Sequence, residues 1–173
     1  MKLVLNHETY EVVLKDIVPR AQRFLWLVTA DLKDLFVEGA KGKFVPFLAV
    51  LAEKIRAGVE VRLVHAKEPG PRFRKDFDHF PELIESDLFN RILCPRMHMK
   101  CVIADGRIAY IGSANLTGAG LGAKGDHRRN FEAGIVTEDR KVIGEMMEFL
   151  DSFYLGDNCV KCQRRDVCPD PIV

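Results

Sequence analysis

Residues 98–115 concentrate side chains that act together in phosphoryl chemistry. The spacing is H-x-K-x4-D-x6-G-S-x-N, and the residues are His98, Lys100, Asp105, Gly112, Ser113 and Asn115. Imidazole is a competent nucleophile near neutral pH because its reference pKa is about 6.5. An ammonium, a hydroxyl and a carboxamide can hold the oxygens of a phosphoryl group while negative charge develops on them. The pattern therefore predicts a site that attacks a phosphodiester.

A β-hairpin is expected to position these groups. Residues 97–104 and 107–111 are short apolar runs, and the turn-forming pair Asp105-Gly106 joins them. Side chains alternate along a strand, so the histidine and the lysine should project to the same side. Ser113 and Asn115 follow the second strand, where Gly112 is expected to let the backbone come close to a ligand.

The six spaced residues resemble the signature of the phospholipase D superfamily, whose members cleave or transfer phosphodiesters through a histidine nucleophile. The resemblance implies that His98 forms a phosphohistidine intermediate. It also implies that Lys100 and Asn115 hold the phosphate oxygens and that Ser113 hydrogen-bonds beside them. Asp105 is expected to open the turn and brace the hairpin. None of this chemistry requires a divalent metal.

A carboxylate downstream of the hairpin extends the resemblance. The run Asn130-Phe131-Glu132-Ala133-Gly134 resembles the acidic position of the family, where a carboxylate accepts a hydrogen bond from the imidazole and orients it. Glu132 is therefore a candidate catalytic residue. The alternative is a solvated glutamate at the start of a strand.

The number of motifs implies a homodimer. The active site of the family needs two such motifs, and this chain has one. Two copies of His98 could face each other across a twofold axis, one attacking phosphorus and the other protonating the leaving oxygen. The alternative is an intramolecular pair with His65, since His65-Ala66-Lys67 is also H-x-K. That second run lacks the aspartate and the Gly-Ser-x-Asn that complete the pattern.

Size and composition predict one soluble catalytic domain. The chain has 173 residues, of which 47% are hydrophobic and 29% charged, as is ordinary for a globular protein. We assign residues 1–155 to a phospholipase D-like catalytic domain and residues 156–173 to a cysteine-rich tail. No apolar run approaches the roughly 20 residues of a membrane span. Charge comes too early for a signal peptide, so a cytoplasmic location and no membrane partner are expected.

Alternating strand and helix patterns predict an α/β fold. Strands are expected over residues 24–29, 59–65 and 131–136, helices over 9–21, 46–57 and 140–154, and a glycine-rich loop over 117–130. This order favours a mixed, largely parallel β-sheet sandwiched between helices, with catalytic groups at strand ends and in the following loops. The resemblance implies the same fold.

Cysteines near the end of the chain predict a metal site. Cys159, Cys162 and Cys168 lie within ten residues, and in a cytoplasmic protein such spacing favours metal binding over disulfides. Four thiolates complete either an iron–sulfur or a zinc site. We favour a structural iron–sulfur cluster because the spacing also resembles the cluster motif of certain DNA-processing exonucleases; zinc, and free or disulfide-paired thiols, are the alternatives. Cys94 is preferred over Cys101 as fourth ligand, and the site is expected to leave the catalytic residues untouched.

Charge does not identify the substrate. The net charge is +1, which gives no global attraction toward nucleic acid. Basic clusters nevertheless flank the motif, at Arg91 and Arg96 and at residues 124–129, and could follow a nucleic-acid backbone. Small single-motif, dimeric chains are the form of the family's endonucleases. We therefore predict a nuclease acting on DNA or RNA, with a lipid phosphodiesterase or an inactive nucleic-acid-binding protein as alternatives.

Overall fold

A central β-sheet organises the computed structural model, which describes residues 1–33, 35–39 and 42–172. The sheet strands are β1 (Lys2–Leu5), β2 (Phe24–Thr29), β5 (Glu60–His65), β6 (Phe89–Leu93), β7 (Cys101–Ala104), β8 (Ile108–Gly112) and β9 (Ala133–Thr137). Strands β3 (Phe36–Glu38) and β4 (Phe44–Pro46) form a separate hairpin. The helices are α1 (Glu8–Val12), α2 (Val18–Arg20), α3 (Phe47–Arg56), α4 (Pro71–Phe77), α5 (Glu82–Glu85) and α6 (Arg140–Tyr154). A π-helical turn, Val13–Ile17, joins α1 to α2.

The sheet is mixed, in the order β1-β9-β8-β7-β2-β5-β6. This confirms the α/β class with a mixed sheet, but the expectation that it is largely parallel needs correction. Only the pairings β2–β5 and β5–β6 are parallel among the described strands, and the other four are antiparallel. The reason is the connections: helices cross over between β2, β5 and β6, whereas a tight turn joins β7 to β8.

Two apolar layers cover the sheet. On one face, α1, the π-helical turn and α3 pack against β2 and β5 through residues such as Ile17, Leu27 and Leu51. On the other face, Ile143, Leu150 and Phe153 of α6 pack against a cluster that includes the fully buried Trp26 of β2. Alternate residues of β2 therefore enter opposite layers, which explains the continuous apolar run at residues 24–29. None of the helices in the described residues combines the length and the apolar character needed to span a bilayer.

The predicted hairpin has a tight turn whose two central residues have positive φ. Strands β7 and β8 pair antiparallel from Cys101 opposite Ile111 to Ala104 opposite Ile108. Asp105 and Gly106 between them have φ values of 53° and 65°, the positive-φ pair of a type I′ turn. The strand begins later than predicted, so His98 and Lys100 precede β7 in irregular backbone. Their spacing of two still places both at the same end of the hairpin.

Candidate active site

The hairpin brings the predicted catalytic residues together at one end of the sheet. His98 and Lys100 come just before β7, and Ser113 and Asn115 come just after β8. Because β7 and β8 are antiparallel neighbours, the residues before β7 and those after β8 lie at the same end of the hairpin. They share an open depression of about 540 Å³, lined by His98, Met99, Lys100, Ile111, Gly112, Ser113 and Asn115. An imidazole, an ammonium, a hydroxyl and a carboxamide thus border one space open to solvent.

Lys100 lies against His98. The Lys100 Nζ donates to the His98 carbonyl oxygen at 2.7 Å and is 3.3 Å from His98 Nδ1. Partial burial lowers the pKa of the Lys100 ammonium, and the nearby Glu132 carboxylate opposes that shift. The imidazole itself is exposed. The arrangement places a cation beside an accessible ring, as attack on an anionic phosphodiester requires.

Asn115 is held rigidly by the end of β2. Its Oδ1 accepts hydrogen bonds from the backbone N–H groups of Ala30 and Asp31, each at 3.1 Å, and lies 3.2 Å from Thr29 Oγ1. The single proton of the Thr29 hydroxyl is shared with the closer Asp31 carbonyl oxygen at 2.8 Å, and the same hydroxyl accepts from Leu116 N at 3.0 Å. With its oxygen fixed by these contacts, the amide turns its NH₂ group away from them. That group is a candidate donor to a phosphate oxygen.

Glu132 joins the site through Ser113. The Ser113 hydroxyl donates to Glu132 Oε2, Asn130 Nδ2 donates to Glu132 Oε1 at 3.0 Å, and Ala133 N donates to Ser113 Oγ at 3.1 Å. The resemblance implied a bond from the His98 imidazole to this carboxylate. The described hydrogen bonds give Glu132 side-chain partners in Ser113 and Asn130 instead. Glu132 therefore fixes the serine hydroxyl and contributes negative charge near Lys100.

Gly112 lines the depression and also makes room for a buried aromatic side chain. A Cβ atom at this position would lie 2.3 Å from the Tyr110 hydroxyl oxygen and 2.7 Å from the Ala133 carbonyl oxygen. At Gly134, which pairs with Gly112 across β8 and β9, it would lie 2.4 Å from the Tyr110 ring. The buried Tyr110 side chain thus occupies the space over the two glycines. Gly134 belongs to the sequence run around Glu132 that resembles the family, but the sequence did not predict that the Tyr110 ring packs on both glycines.

Asp105 braces the hairpin from outside the depression. Its carboxylate accepts from the backbone N–H groups of Gln22 at 3.0 Å, Arg23 at 2.8 Å and Phe24 at 2.9 Å, at the entry to β2. Burial alone would raise the pKa of this carboxyl, but these N–H groups and the nearby Arg107 together lower it. The bonds tie the turn of the hairpin to the neighbouring strand.

His65, the alternative candidate for the second catalytic histidine, is enclosed by the protein. His65 is fully buried at the end of β5. Its Nδ1 lies 2.7 Å from the Lys67 carbonyl oxygen, and its Nε2 accepts from Arg91 Nε at 2.8 Å. Burial, followed by the Arg91 charge, lowers the pKa of the imidazole. With both nitrogens engaged, His65 is poorly placed to serve as a second catalytic histidine.

Four of the five cysteines line one cavity next to the active site. Cys94, Cys159, Cys162 and Cys168 border a space of about 470 Å³ that His98 also borders. Cys101 lies elsewhere, buried in β7, where burial raises the pKa of its thiol to about 12. All five are free thiols. Within the described ranges, no three His, Cys, Asp or Glu side chains are gathered closely enough to hold a metal ion.

Five arginines near the motif or in the tail fall into two groups by what they contact. Arg91 donates to Glu68 at 2.8 Å as well as to His65, and Arg129 pairs with Asp126. These two arginines therefore have structural partners, contrary to a purely substrate-binding interpretation. Three others, Arg96, Arg164 and Arg165, line the cavity beside His98. The tail, whose cysteines were noticed in the sequence, thus also contributes positive charge near the site.

Most of the chain matches a known protein family. Residues 14–154 match the family described as "Cardiolipin synthase, PLD-like domain". Cardiolipin synthase 1 of Staphylococcus aureus (strain MRSA252) is 28% identical over 127 residues, which cover 68% of this chain and 24% of that protein. The chain thus spans about a quarter of the length of that curated relative.

Two solved structures have a similar fold. Nuc from Salmonella typhimurium, a phospholipase D family member, has a TM-score of 0.62 and 15% identity, covering 88% of this chain and 92% of that one. NucT from Helicobacter pylori has a TM-score of 0.62 and 13% identity, covering 88% and 94%. At these identities the comparison concerns the fold, and it extends over nearly the whole length of both neighbours.

Proposed function

Because this chain belongs to the family of phospholipase D-like domains, we propose that it is an endonuclease that cleaves DNA or RNA through a phosphohistidine intermediate. The observation that supports this most strongly is the convergence of His98, Lys100, Ser113 and Asn115 on one open depression. The phosphodiester chemistry is that of the superfamily. The nucleic-acid substrate and the homodimer are the further steps of the proposal.

The reaction has two steps. A ring nitrogen of His98 attacks phosphorus, and the bond to the leaving oxygen breaks as that oxygen takes a proton from a second histidine. Water then attacks the phosphohistidine, giving its proton back to the second histidine and releasing the phosphate product and His98. The Lys100 ammonium and the Asn115 amide donate to the phosphoryl oxygens as charge develops, and Glu132 orients Ser113 beside them. No step uses a metal ion.

A second copy of the chain supplies the second histidine in this proposal. His65 is enclosed by its own partners, so it is a poor donor to the leaving group. An exposed apolar surface lies beside the site: Phe131, 95% exposed, precedes Glu132, and Leu3 and Leu5 lie on the edge strand β1 next to β9. Exposed apolar residues in such a group favour a protein contact. A symmetric dimer through this surface would place two active sites near one axis.

The charge around His98 favours a polyanionic substrate. Arg96, Arg164 and Arg165 line the cavity beside His98, so their charges could attract the chain of phosphates on either side of the scissile bond. Nucleic acid offers that repeating charge, whereas a phospholipid offers one headgroup. The second candidate is a lipid phosphodiesterase, favoured by the identity with a cardiolipin synthase.

The test is a parallel assay of four substrates. The full chain is incubated with single-stranded DNA, double-stranded DNA, RNA and a phosphatidylcholine reporter, alongside His98→Ala and His79→Ala variants. His79 is an exposed histidine outside the active-site depression, so it is the matched control. We expect cleavage of at least one nucleic acid by the wild type and the His79 variant, and none by the His98 variant.

The other outcomes separate the alternatives. Turnover of the lipid reporter alone would replace the nuclease with the lipid enzyme. Binding of nucleic acid without cleavage would indicate an inactive binding protein. Sedimentation should show a dimer that Phe131→Glu dissociates and that Ile84→Glu, an exposed control on α5, does not. A fully active monomer would remove the shared-site mechanism.

A further inference from the structure

We propose that Cys94, Cys159, Cys162 and Cys168 form a four-thiolate metal centre that fixes the loop containing His98. The ligand chemistry is that of either a single zinc ion or an iron–sulfur cluster, and the experiment below distinguishes them. The centre lies beside the active-site depression rather than in it. Its proposed role is to hold the nucleophile in place.

The four thiols face one space from two segments of the chain. Cys94 follows β6, in the loop that leads to His98, and the other three belong to the tail after α6. All four are partly exposed and all four line the same cavity of about 470 Å³. The pair Cys159 and Cys162 shares a tight turn, with Cys162 N donating to the Cys159 carbonyl oxygen at 3.1 Å. Such a turn presents two thiols to one ion.

Two further contacts join the tail to the loop around Cys94. Asp170 Oδ2 accepts from Leu93 N at 3.2 Å, immediately before Cys94. Arg96, two residues after Cys94, places its Nη1 3.4 Å from Cys162 Sγ. The tail therefore already contacts the loop on both sides of Cys94 in the sequence. Within the described residues no three of these thiols lie close enough together to hold an ion, so the proposal requires that they move closer to one another when a metal binds.

Most of the tail has little apolar packing to hold it. Val160 and Val167 are 67% and 71% exposed, and only near the end of the described residues does an apolar side chain, the partly buried Ile172, pack against the cluster around Trp26. Its regular structure consists of turns and one short 3₁₀ segment, Arg165–Val167. A segment that buries so little apolar surface needs another source of order, and thiolate coordination supplies it in small metal-binding units. Cys101 is excluded from this set by its burial within β7.

The position of Cys94 couples the centre to catalysis. His98 is four residues from Cys94 and borders the same cavity, and His98 and Lys100 lie in irregular backbone before β7. Coordination of Cys94 would therefore restrict the backbone that presents the imidazole. This differs from the expectation that the metal leaves the catalytic residues untouched. The consequence for activity rests on the proposed function, whereas the metal centre does not.

The experiment measures metal content and backbone exchange on the full chain. Protein is purified without oxygen, and zinc, iron and acid-labile sulfide are quantified. We expect about one zinc, or about four iron with matching sulfide, per chain. Cys159→Ser and Cys162→Ser should each lose the metal, and Cys101→Ala should retain it. Circular dichroism checks that each variant is folded.

Amide hydrogen exchange then tests the coupling. Loss of the metal should speed exchange in residues 94–100 and 156–170, with little change in β8. Absence of both metals from the wild-type protein, or equal metal in all variants, would overturn the centre. Metal loss without faster exchange in residues 94–100 would overturn its role at His98. Neither readout depends on cleavage, so failure of the nuclease proposal would be seen separately.

Discussion

Asp105 belongs to the catalytic motif, yet its contacts predict a structural role that mutation can separate from catalysis. Its carboxylate accepts from three backbone N–H groups at the entry to β2, and its φ of 53° is one that aspartate and asparagine tolerate better than alanine. Hydrogen bonds to a charged group contribute about 1.5–3 kcal/mol, and partial exposure of Asp105 favours the lower part of that range. Asparagine retains one oxygen acceptor and the backbone preference.

We expect Asp105→Asn to lower the free energy of unfolding by about 1–2 kcal/mol, and Asp105→Ala by about 3 kcal/mol because strain at positive φ adds to the loss. For a domain of this size, about 2–4 °C in Tm accompanies each kcal/mol, so the asparagine variant should melt about 2–8 °C lower. Urea unfolding and thermal unfolding, each followed by circular dichroism, measure the free energy of unfolding and the Tm. At a temperature where the variant is folded, its turnover should stay close to that of the wild type.

The difference in free energy of unfolding between the wild type and Asp105→Asn should depend on pH. The folded protein lowers the pKa of Asp105, so the stability contributed by this carboxylate is fully present above the pKa of the unfolded chain. It is lost as the pH falls through the lowered folded pKa. The two unfolding curves should therefore converge in acid. A large loss of turnover with unchanged stability would refute the bracing role and place Asp105 in the chemistry.

Three further predictions concern the site and its supports. Asn115→Asp keeps the oxygen that Thr29, Ala30 and Asp31 contact but replaces the NH₂ donor. The value of kcat/KM should therefore fall about 10²–10³-fold with little change in Tm. A fully active variant would contradict the role of the Asn115 NH₂ group as a phosphate donor. Gly134→Ala should lower the free energy of unfolding by about 1–3 kcal/mol because the added Cβ would contact Tyr110, and this loss should be smaller in a Tyr110→Leu background. Equal losses in both backgrounds would show that the ring is not the cause. Cleavage in EDTA should match that with Mg²⁺, provided that zinc and iron contents are unchanged by the treatment; a Mg²⁺ requirement would indicate different chemistry.

The local pattern was enough to predict the hairpin and the edge at which its groups meet. The Asp105-Gly106 pair and the flanking apolar runs predicted the turn, and the described structure has positive φ at both positions. The runs at 24–29 and 140–154 correspond to β2 and α6 with the predicted bounds. These features depend on residues close together in the sequence, where periodicity and turn chemistry are informative.

Features that depend on distant residues could not be predicted in this way. Nothing near Asn115 in the sequence indicates that Thr29 and the following backbone hold its oxygen, and nothing near Gly112 indicates the ring of Tyr110 over it and Gly134. The balance of parallel and antiparallel pairs was missed because β7 pairs with β2 rather than with β6, which precedes it in the chain. The partners of Glu132 also depend on how β9 pairs with β8.

The most direct test of the central claim is to trap the covalent intermediate. The enzyme is mixed with labelled substrate, quenched in alkali, digested and analysed by mass spectrometry. The account predicts a phosphoryl adduct on His98, present in Asp105→Asn and absent in His98→Ala. An adduct on any other residue, or efficient cleavage by His98→Ala, would contradict the account.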